Sequence, residues 1–235
     1  MRLGIVQSTS TPAEVAADAA AAAGWIAMAA VRGCEAVLFP ELFLGGYSVA
    51  GWRSRAIAPG DPRLAPLLEA TAAGGPVALV GATLAESGGP AIATLVIRDG
   101  AIAAIYRKMH LHPPERAVFV AGTEPCVLEI GGMRVGLAIC ADTGVPEHAY
   151  ACAHLGVRLY VVGGLFGTGQ GQQEIATILP TLARRTRLWV ALSNHVGPAD
   201  AWIGCGRSAV WTPDGRIHSD IPSVEPQLLV VEIEE

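Results

Sequence analysis

Apolar residues along the chain fall into short runs separated by turn-forming residues: RLGIVQ, EAVLF, VALVGATL, AIATLVI, AIAAIYR, MRVGLAIC, RLYVVGG, LWVALSN, RSAVW and QLLVVEI. Each has strand length and enough β-branched content to favour a strand over a helix. Helical stretches lie between some of them. Thr11-Pro12-Ala13-Glu14 reads as a capping box with proline at the first helical position, opening a helix that stops at Gly33. A second helix is predicted from Pro146 to His154, ending at Gly156. A third runs from about Gln172 to Arg185, where Pro180 should bend or split it.

The order is strand, helix, strand at both ends, with consecutive strands around residues 77 to 106, where Asp99-Gly100 is a strong hairpin turn. This predicts a layered α/β protein with mixed sheets. At 235 residues, with no internal repeat or Pro/Ser-rich boundary, the chain is expected to form one domain over residues 1–235. The glycine-rich GLFGTGQGQQ at 164 to 173 reads as a surface loop. It lacks a GxGxxG opening a helix directly after a strand, and it lacks a Walker lysine, which argues against nucleotide binding.

Composition narrows the classes. Hydrophobic residues make up 51% of the chain and charged residues 16%, the balance of a compact globule rather than a disordered chain. Net charge is −5 and no basic run or stripe occurs, so nucleic acid is not expected as a partner. MRLGIVQS lacks a secretory pattern and reads as a buried first strand, and the uncharged Ala19 to Val31 stretch is too short to cross a bilayer. The five cysteines, at 34, 126, 140, 152 and 205, show no CxxC spacing and suggest neither a zinc site nor a disulfide framework. A soluble cytoplasmic protein without a membrane partner is expected.

Three residues carry candidate chemistry, each with a plainer alternative. Cys140 ends a strongly apolar strand before a turn and a helix, where a thiol is exposed above the sheet edge and favoured as thiolate; the commoner fate of a free cysteine is packing. Glu41, in LFPELFLGGY, is flanked by apolar residues, and burial of that kind raises a carboxyl pKa toward neutrality; the alternative is a helix cap or a loop carboxylate. Lys108, in AIAAIYRKMHLHPPE, is either a buried donor to a developing oxyanion or an exposed edge-strand cation.

Taken together, FPELFLGGY, YRKMHL and VGLAICAD resemble, in order and separation, the Glu-Lys-Cys signature of the nitrilase, or carbon-nitrogen hydrolase, superfamily. ERAVFVAG resembles the segment carrying that family's second glutamate, which puts Glu115 in that role. LWVALSNHVG and GRSAVWTPDGRI extend the similarity, from about residue 2 to residue 233. The resemblance implies a four-layer αββα sandwich, a single carbon-nitrogen hydrolase domain over 1–235, and association as a homodimer or higher homo-oligomer through outer helices. It also implies that Cys140 attacks an amide or nitrile carbon after losing its proton to Glu41. Lys108 and the Ala141 N–H would stabilise the oxyanion, and Glu115 would orient Lys108 or the substrate. No metal or organic cofactor is needed.

This sequence departs from the family pattern after the nucleophile, where CADTGVPEHA lacks the usual aromatic and arginine, while Asp142 matches and is expected to brace the turn. VVGGLFGTGQ and LARRTRLWV also differ, so the pocket floor does not transfer. The chain ends after the last strand without the tail of spiral nitrile-hydrolysing assemblies, which favours a small carboxamide as substrate over a nitrile or N-carbamoyl compound. An acyltransferase and a non-catalytic binding protein of the same fold are further alternatives. Tyr47 and Phe166 are the aromatic candidates for the substrate pocket, whereas Phe119 and Trp189 read as core. A Cys-His reading through His110 or His112, with Asn194 or His195 as a second member, matches less of the chain, and a metal site at His110, His112 and His154 lacks any recognised spacing.

Overall fold

In a computed structural model of the protein, which describes residues 1–72 and 74–234, the apolar runs pair into two six-stranded sheets and a separate hairpin. The first sheet holds β1 (Arg2–Gln7), β2 (Ala36–Leu38), β3 (Val77–Leu84), β4 (Ala91–Arg98), β5 (Ala101–Arg107) and β14 (Gln227–Glu232), in the order β14-β1-β2-β3-β4-β5. The second holds β6 (Val127–Ile130), β7 (Met133–Ile139), β8 (Leu159–Gly164), β9 (Trp189–Asn194), β12 (Ala209–Trp211) and β13 (Ile217–Asp220), in the order β13-β12-β9-β8-β7-β6. β10 (Val196–Ala199) and β11 (Trp202–Cys205) form the hairpin. β1, β2 and β3 run parallel, as do β7, β8 and β9, so each sheet has a parallel centre and antiparallel margins.

The period of two along each strand separates an inner core between the sheets from two outer cores beneath the helices. Leu3, Ile5, Leu38 and Leu79 face inward and pack with Leu137, Val161, Ala191 and Val210 of the other sheet. Val6, Val37 and Val80 face outward onto α1 (Val15–Val31) and α3 (Ala65–Thr71), and Tyr160, Val162 and Val190 face α4 (Pro146–His154) and α5 (Gln170–Thr186). Burial on both faces is why these strands read as continuous apolar runs rather than alternating ones. The result is the αββα sandwich expected from the sequence. α2 (Trp52–Arg55) is a single short turn.

Some elements differ from the sequence expectation. The capping box at Thr11 does not form: α1 begins at Val15, and the Thr11 N–H donates to Asp18 Oδ1 at 2.8 Å. Asp18 Oδ2 accepts from the Gly45 N–H at 2.8 Å, so this buried carboxylate ties the helix entry to the loop after Glu41. α5 begins two residues earlier than predicted and runs unbroken through Pro180, because its buried stripe of Ile175, Leu179 and Leu182 outweighs one lost backbone bond. Strands β6, β10, β11 and β13 were not legible as apolar runs, being largely half-buried or exposed. The segment read as a surface loop at 164 to 173 instead starts in β8, buries Leu165 and Phe166, and turns into α5.

Two glycines admit the segment that carries Glu41 between the sheets. A Cβ on Gly81 would lie 2.3 Å from the Pro40 carbonyl oxygen and 2.5 Å from the Leu42 nitrogen, and one on Gly163 would lie 3.0 Å from the Phe39 carbonyl oxygen. Only a residue without a side chain allows backbone to pass this close.

Candidate active site

The carboxyl ends of strands from both sheets converge on one place, the usual location of a site in an open parallel sheet. β2 leads through Phe39-Pro40 to Glu41, β5 leads directly into Lys108, and β7 delivers Cys140 to a 3₁₀ turn over Cys140–Gly144. Cys140 has φ +40° and Leu42, beside Glu41, has φ +49°, left-handed conformations that side chains other than glycine rarely adopt. Lys108 Nζ donates to Glu41 Oε1 at 2.6 Å and to both oxygens of Glu115 at 2.9 and 3.0 Å. All three side chains are at most 2% exposed. Glu115 lies in a second 3₁₀ turn, Pro113–Ala117, and its Oε2 also accepts from the His112 N–H at 2.8 Å.

Burial drives the electrostatics of this group. Loss of water pushes the Glu41 carboxyl up to about 7; Lys108 opposes the rise and Glu115 adds to it. Burial also works against the charge on Lys108, but Glu41, Cys140 and Glu115 outweigh it and hold its pKa above the ordinary lysine value. The Cys140 thiol is raised well above its usual range by burial and by Glu41. The thiol is therefore protonated at rest and needs a base beside it. Cys140 is half-buried, and its Sγ donates a long contact of 3.8 Å to the Leu165 carbonyl.

A second buried cluster holds the Cys140 turn. Asp142 Oδ2 accepts from the Ile139 N–H at 2.8 Å and from the Tyr106 hydroxyl at 2.7 Å, and Oδ1 accepts from the His110 N–H at 2.8 Å. Because Tyr106 gives its proton to Asp142, His148 Nε2, 2.8 Å away, must donate to the Tyr106 oxygen. His148 Nδ1 then accepts from the Tyr160 hydroxyl at 2.7 Å. Burial keeps this imidazole neutral by lowering its pKa. Two further residues act at a distance in sequence. His195 Nε2 donates to the Glu41 carbonyl at 2.6 Å, its ring held neutral by burial with a pKa of about 4. The Asn194 side chain accepts from the Phe166 N–H at 2.8 Å and donates to the Phe166 carbonyl at 3.1 Å.

Above the thiol opens a cleft of about 250 Å³. Glu41, Tyr47, Glu115, Cys140, Ala141 and Phe166 line it, so six of the seven site residues named from sequence meet there, and the seventh, Lys108, lies buried against Glu41 and Glu115. His112 also lines it, its ring packed edge-on to Trp202 at 5.7 Å, while His110 packs on His148 at 5.8 Å. His154 bonds the Tyr150 carbonyl on the exposed end of α4. No group of three or more His, Cys, Asp or Glu side chains suited to a metal ion occurs among the described residues, and none of the described helices is long and apolar enough to cross a membrane. Glu174, Ile178 and Trp202 are lining residues that sequence reasoning did not identify.

Comparison with known proteins agrees with this arrangement. The family described as carbon-nitrogen hydrolase matches residues 2–235. A glutamine-dependent NAD(+) synthetase of Xanthomonas campestris is 33% identical over 213 residues, covering 84% of this chain but 37% of that protein. An (R)-stereoselective amidase of a Pseudomonas species is 30% identical over 190 residues, 78% of this chain and 67% of that one. The chain thus spans less than half the length of its synthetase relatives. An amidase of Nesterenkonia sp. AN1, described as a member of the nitrilase superfamily, superimposes with TM-scores near 0.9. A variant with acrylamide added at the active site cysteine gives 0.90 at 27% identity over 100% of this chain and 93% of that one, and a variant in complex with butyramide gives 0.89 at 28% over 99% and 90%. By sequence, fold and the meeting of Glu41, Lys108 and Cys140, this chain belongs to the carbon-nitrogen hydrolase family of the nitrilase superfamily.

Proposed function

We propose that this protein is an amidase, a single domain over residues 1–235 that converts a small carboxamide to the acid and ammonia through a thioester on Cys140. The observation that carries the reading is the buried ammonium of Lys108 bridging Glu41 and Glu115 where the thiol opens to the cleft. Glu41, with its pKa near 7, takes the thiol proton as the sulfur attacks the carbonyl carbon. The C=O electron pair moves onto oxygen, where Lys108 Nζ and the Ala141 N–H stabilise it in a site with little water. Glu41 returns the proton to the nitrogen, ammonia leaves, and the thioester remains. The same carboxylate then removes a proton from water, which attacks the thioester and releases the acid as the thiol is restored.

Glu115 grips Lys108 with both oxygens and acts as a positioning residue, while Tyr47 and Phe166 shape the wall around the acyl group. The size of the cleft supports a small substrate, since pockets for larger ligands run to several hundred Å³ or more. Butyramide and acrylamide, seen in the Nesterenkonia amidase, support amides over nitriles. The same reading includes a cytoplasmic location and a homodimeric or larger assembly, which sedimentation of the purified protein tests. The deciding experiment supplies amides, nitriles and N-carbamoyl compounds, measures ammonia, and weighs the protein for an acyl adduct at Cys140. Ammonia from a small amide with that adduct, both lost in Cys140→Ala, is expected. Turnover retained in Cys140→Ala overturns the proposal, and an amide product in place of the acid reassigns the protein as an acyltransferase.

A further inference from the structure

The groups at the floor of the cleft account for bond cleavage but not for what the far end of the substrate carries. Gln170, Glu174 and Ile178 lie at successive turns of α5 and all line the cleft that contains Cys140. Glu174 is half-buried, its Oε1 accepts from Gln170 Nε2 at 2.8 Å, and it belongs to no ion pair among the described residues. No lysine or arginine is among the described residues that line the cleft. Its acidic lining residues are Glu41, Glu115 and Glu174, and the buried Lys108 is already bonded to the first two. Glu174 is thus a carboxylate lining the cleft without an ion-pair partner among the described residues, and the aromatic side chains of Phe166 and Trp202 line the same cleft.

Resting on the amidase reading, we propose that Glu174 is a specificity-determining residue. It makes the cleft select amides whose far end bears an ammonium or similar cation, and reject amides that bear a free carboxylate. A substrate ammonium supplies the missing countercharge through a charge-assisted hydrogen bond and gains further from the aromatic faces. A substrate carboxylate would shed water beside a like charge with no cation to receive it, which is discrimination by repulsion as well as by attraction. One feature opposes this order: the N-terminus of α5, at Gln170 and Gly171, borders the cleft and carries partial positive charge. Glu174 stands one turn further along the helix and offsets it, so removing the carboxylate unmasks an anion-favouring end.

Butanamide, β-alaninamide and succinamate share a two-methylene spacer and end in a methyl, an ammonium and a carboxylate. The order of kcat/KM in the unaltered protein is expected to be β-alaninamide, then butanamide, then succinamate, with about tenfold between the first two, the worth of one charge-assisted bond. Glu174→Gln is expected to reduce the β-alaninamide to butanamide ratio about tenfold and to raise the succinamate to butanamide ratio. Glu174→Lys should place succinamate above β-alaninamide. Equal rates for the cationic and neutral amides, or a preference for succinamate in the unaltered protein, overturns the inference without touching the amidase reading. Absence of ammonia from all three overturns the amidase reading instead. Calorimetric binding to Cys140→Ala then still reads the order of the three ligands, and tighter succinamate than β-alaninamide there sinks the Glu174 inference on its own.

Discussion

The end of β5 feeds two buried polar clusters that differ in kind. Lys108 enters one made of three ionisable side chains, Glu41, Lys108 and Glu115. Tyr106, two residues earlier on the same face, enters one in which Asp142 is the single carboxylate and hydroxyl and imidazole hydrogens make the links to His148 and Tyr160. The first is held by an ammonium between two carboxyl groups and the second by hydroxyl, imidazole and backbone hydrogens gathered around one carboxylate, and the titrations of Glu41 and His148 act on stability with opposite sign. Glu41 rises on folding from 4.5 to about 7, so its contribution to stability is fully present below pH 4.5 and is lost as pH rises through about 7. His148 falls below 6.5 on folding because burial disfavours its charged form, so its contribution is present above pH 6.5 and is lost as pH falls through the lowered value. His195, neutral for the same reason, adds to the acid side down to about 4. One cluster is poised to move a proton near neutral pH; the other keeps the turn in place by holding its proton still.

The largest effect is expected from removing the ammonium that joins Glu41 and Glu115. Lys108→Met leaves Glu41 and Glu115 buried without it, and stability at pH 8 is expected to fall by about 3–5 kcal/mol, the usual cost of a broken buried ion pair. On the proposed amidase reading, amide turnover should also fall by about 10³-fold, because Lys108 would no longer donate to the oxyanion. The stability loss should shrink as pH is lowered and a proton replaces the ammonium. Urea titrations at pH 8 and pH 5 check this, and an equal loss at both would mean the cluster is not held by charge.

Next in size is Asp142→Ala, which removes no catalytic atom but strips the acceptor from two backbone N–H groups and the Tyr106 hydroxyl. Three stranded donors cost about 3 kcal/mol or more. With the left-handed Cys140 backbone no longer braced, kcat should fall about 10²-fold. Comparable kcat in a folded Asp142→Ala protein would show that the turn holds itself.

These two clusters also mark what was legible in the chain. Glu41, Lys108 and Cys140 each follow an apolar run, which made them candidates beside plainer alternatives, and the resemblance of their flanking motifs to the Glu-Lys-Cys signature singled them out; the run lengths and turn residues were enough to anticipate the layered sheets. Asp142 was readable as a brace beside Cys140. Its partners were not: Tyr106, His148 and Tyr160 look like ordinary strand and helix residues, and their meeting depends on how β5, β8 and α4 pack. Asp18 was hidden for the same reason, because its effect on the helix start comes from Gly45, 27 positions away. Glu174 and Trp202 escaped notice because no periodicity links α5 and the β10–β11 hairpin to Cys140, and only the folded cleft gathers them.

The opposed pH responses give a third, smaller effect. Glu41→Gln cannot ionise, so the fall in Tm of the unaltered protein between pH 5 and pH 8 should flatten, and the acid limb of kcat/KM near pH 7 should disappear together with most of the activity. His148→Gln should flatten the acid side of the stability profile, leaving the part due to His195. Tm measured across pH 4 to 9, at about one-unit steps, separates the two. Both variants flattening the same side would end the division of labour between the clusters.

The smallest effect sharpens the contrast most. Tyr160→Phe deletes one hydroxyl and leaves His148 Nδ1 without its donor, while Asp142 keeps all three of its own. The cost is about 1 kcal/mol, or about 2–4 °C in Tm for a chain of this size. Catalysis should change less than twofold, since the Asp142 bonds that position Cys140 survive. The Tyr160 hydroxyl can donate to the neutral Nδ1 or turn to accept from a protonated one, so its removal costs stability on both sides of the His148 titration. A Tm loss of similar size at pH 5 and pH 8, with the kcat/KM limb set by Glu41 unmoved, is what two electrically separate clusters require; movement of that limb would show that protons in one are felt in the other.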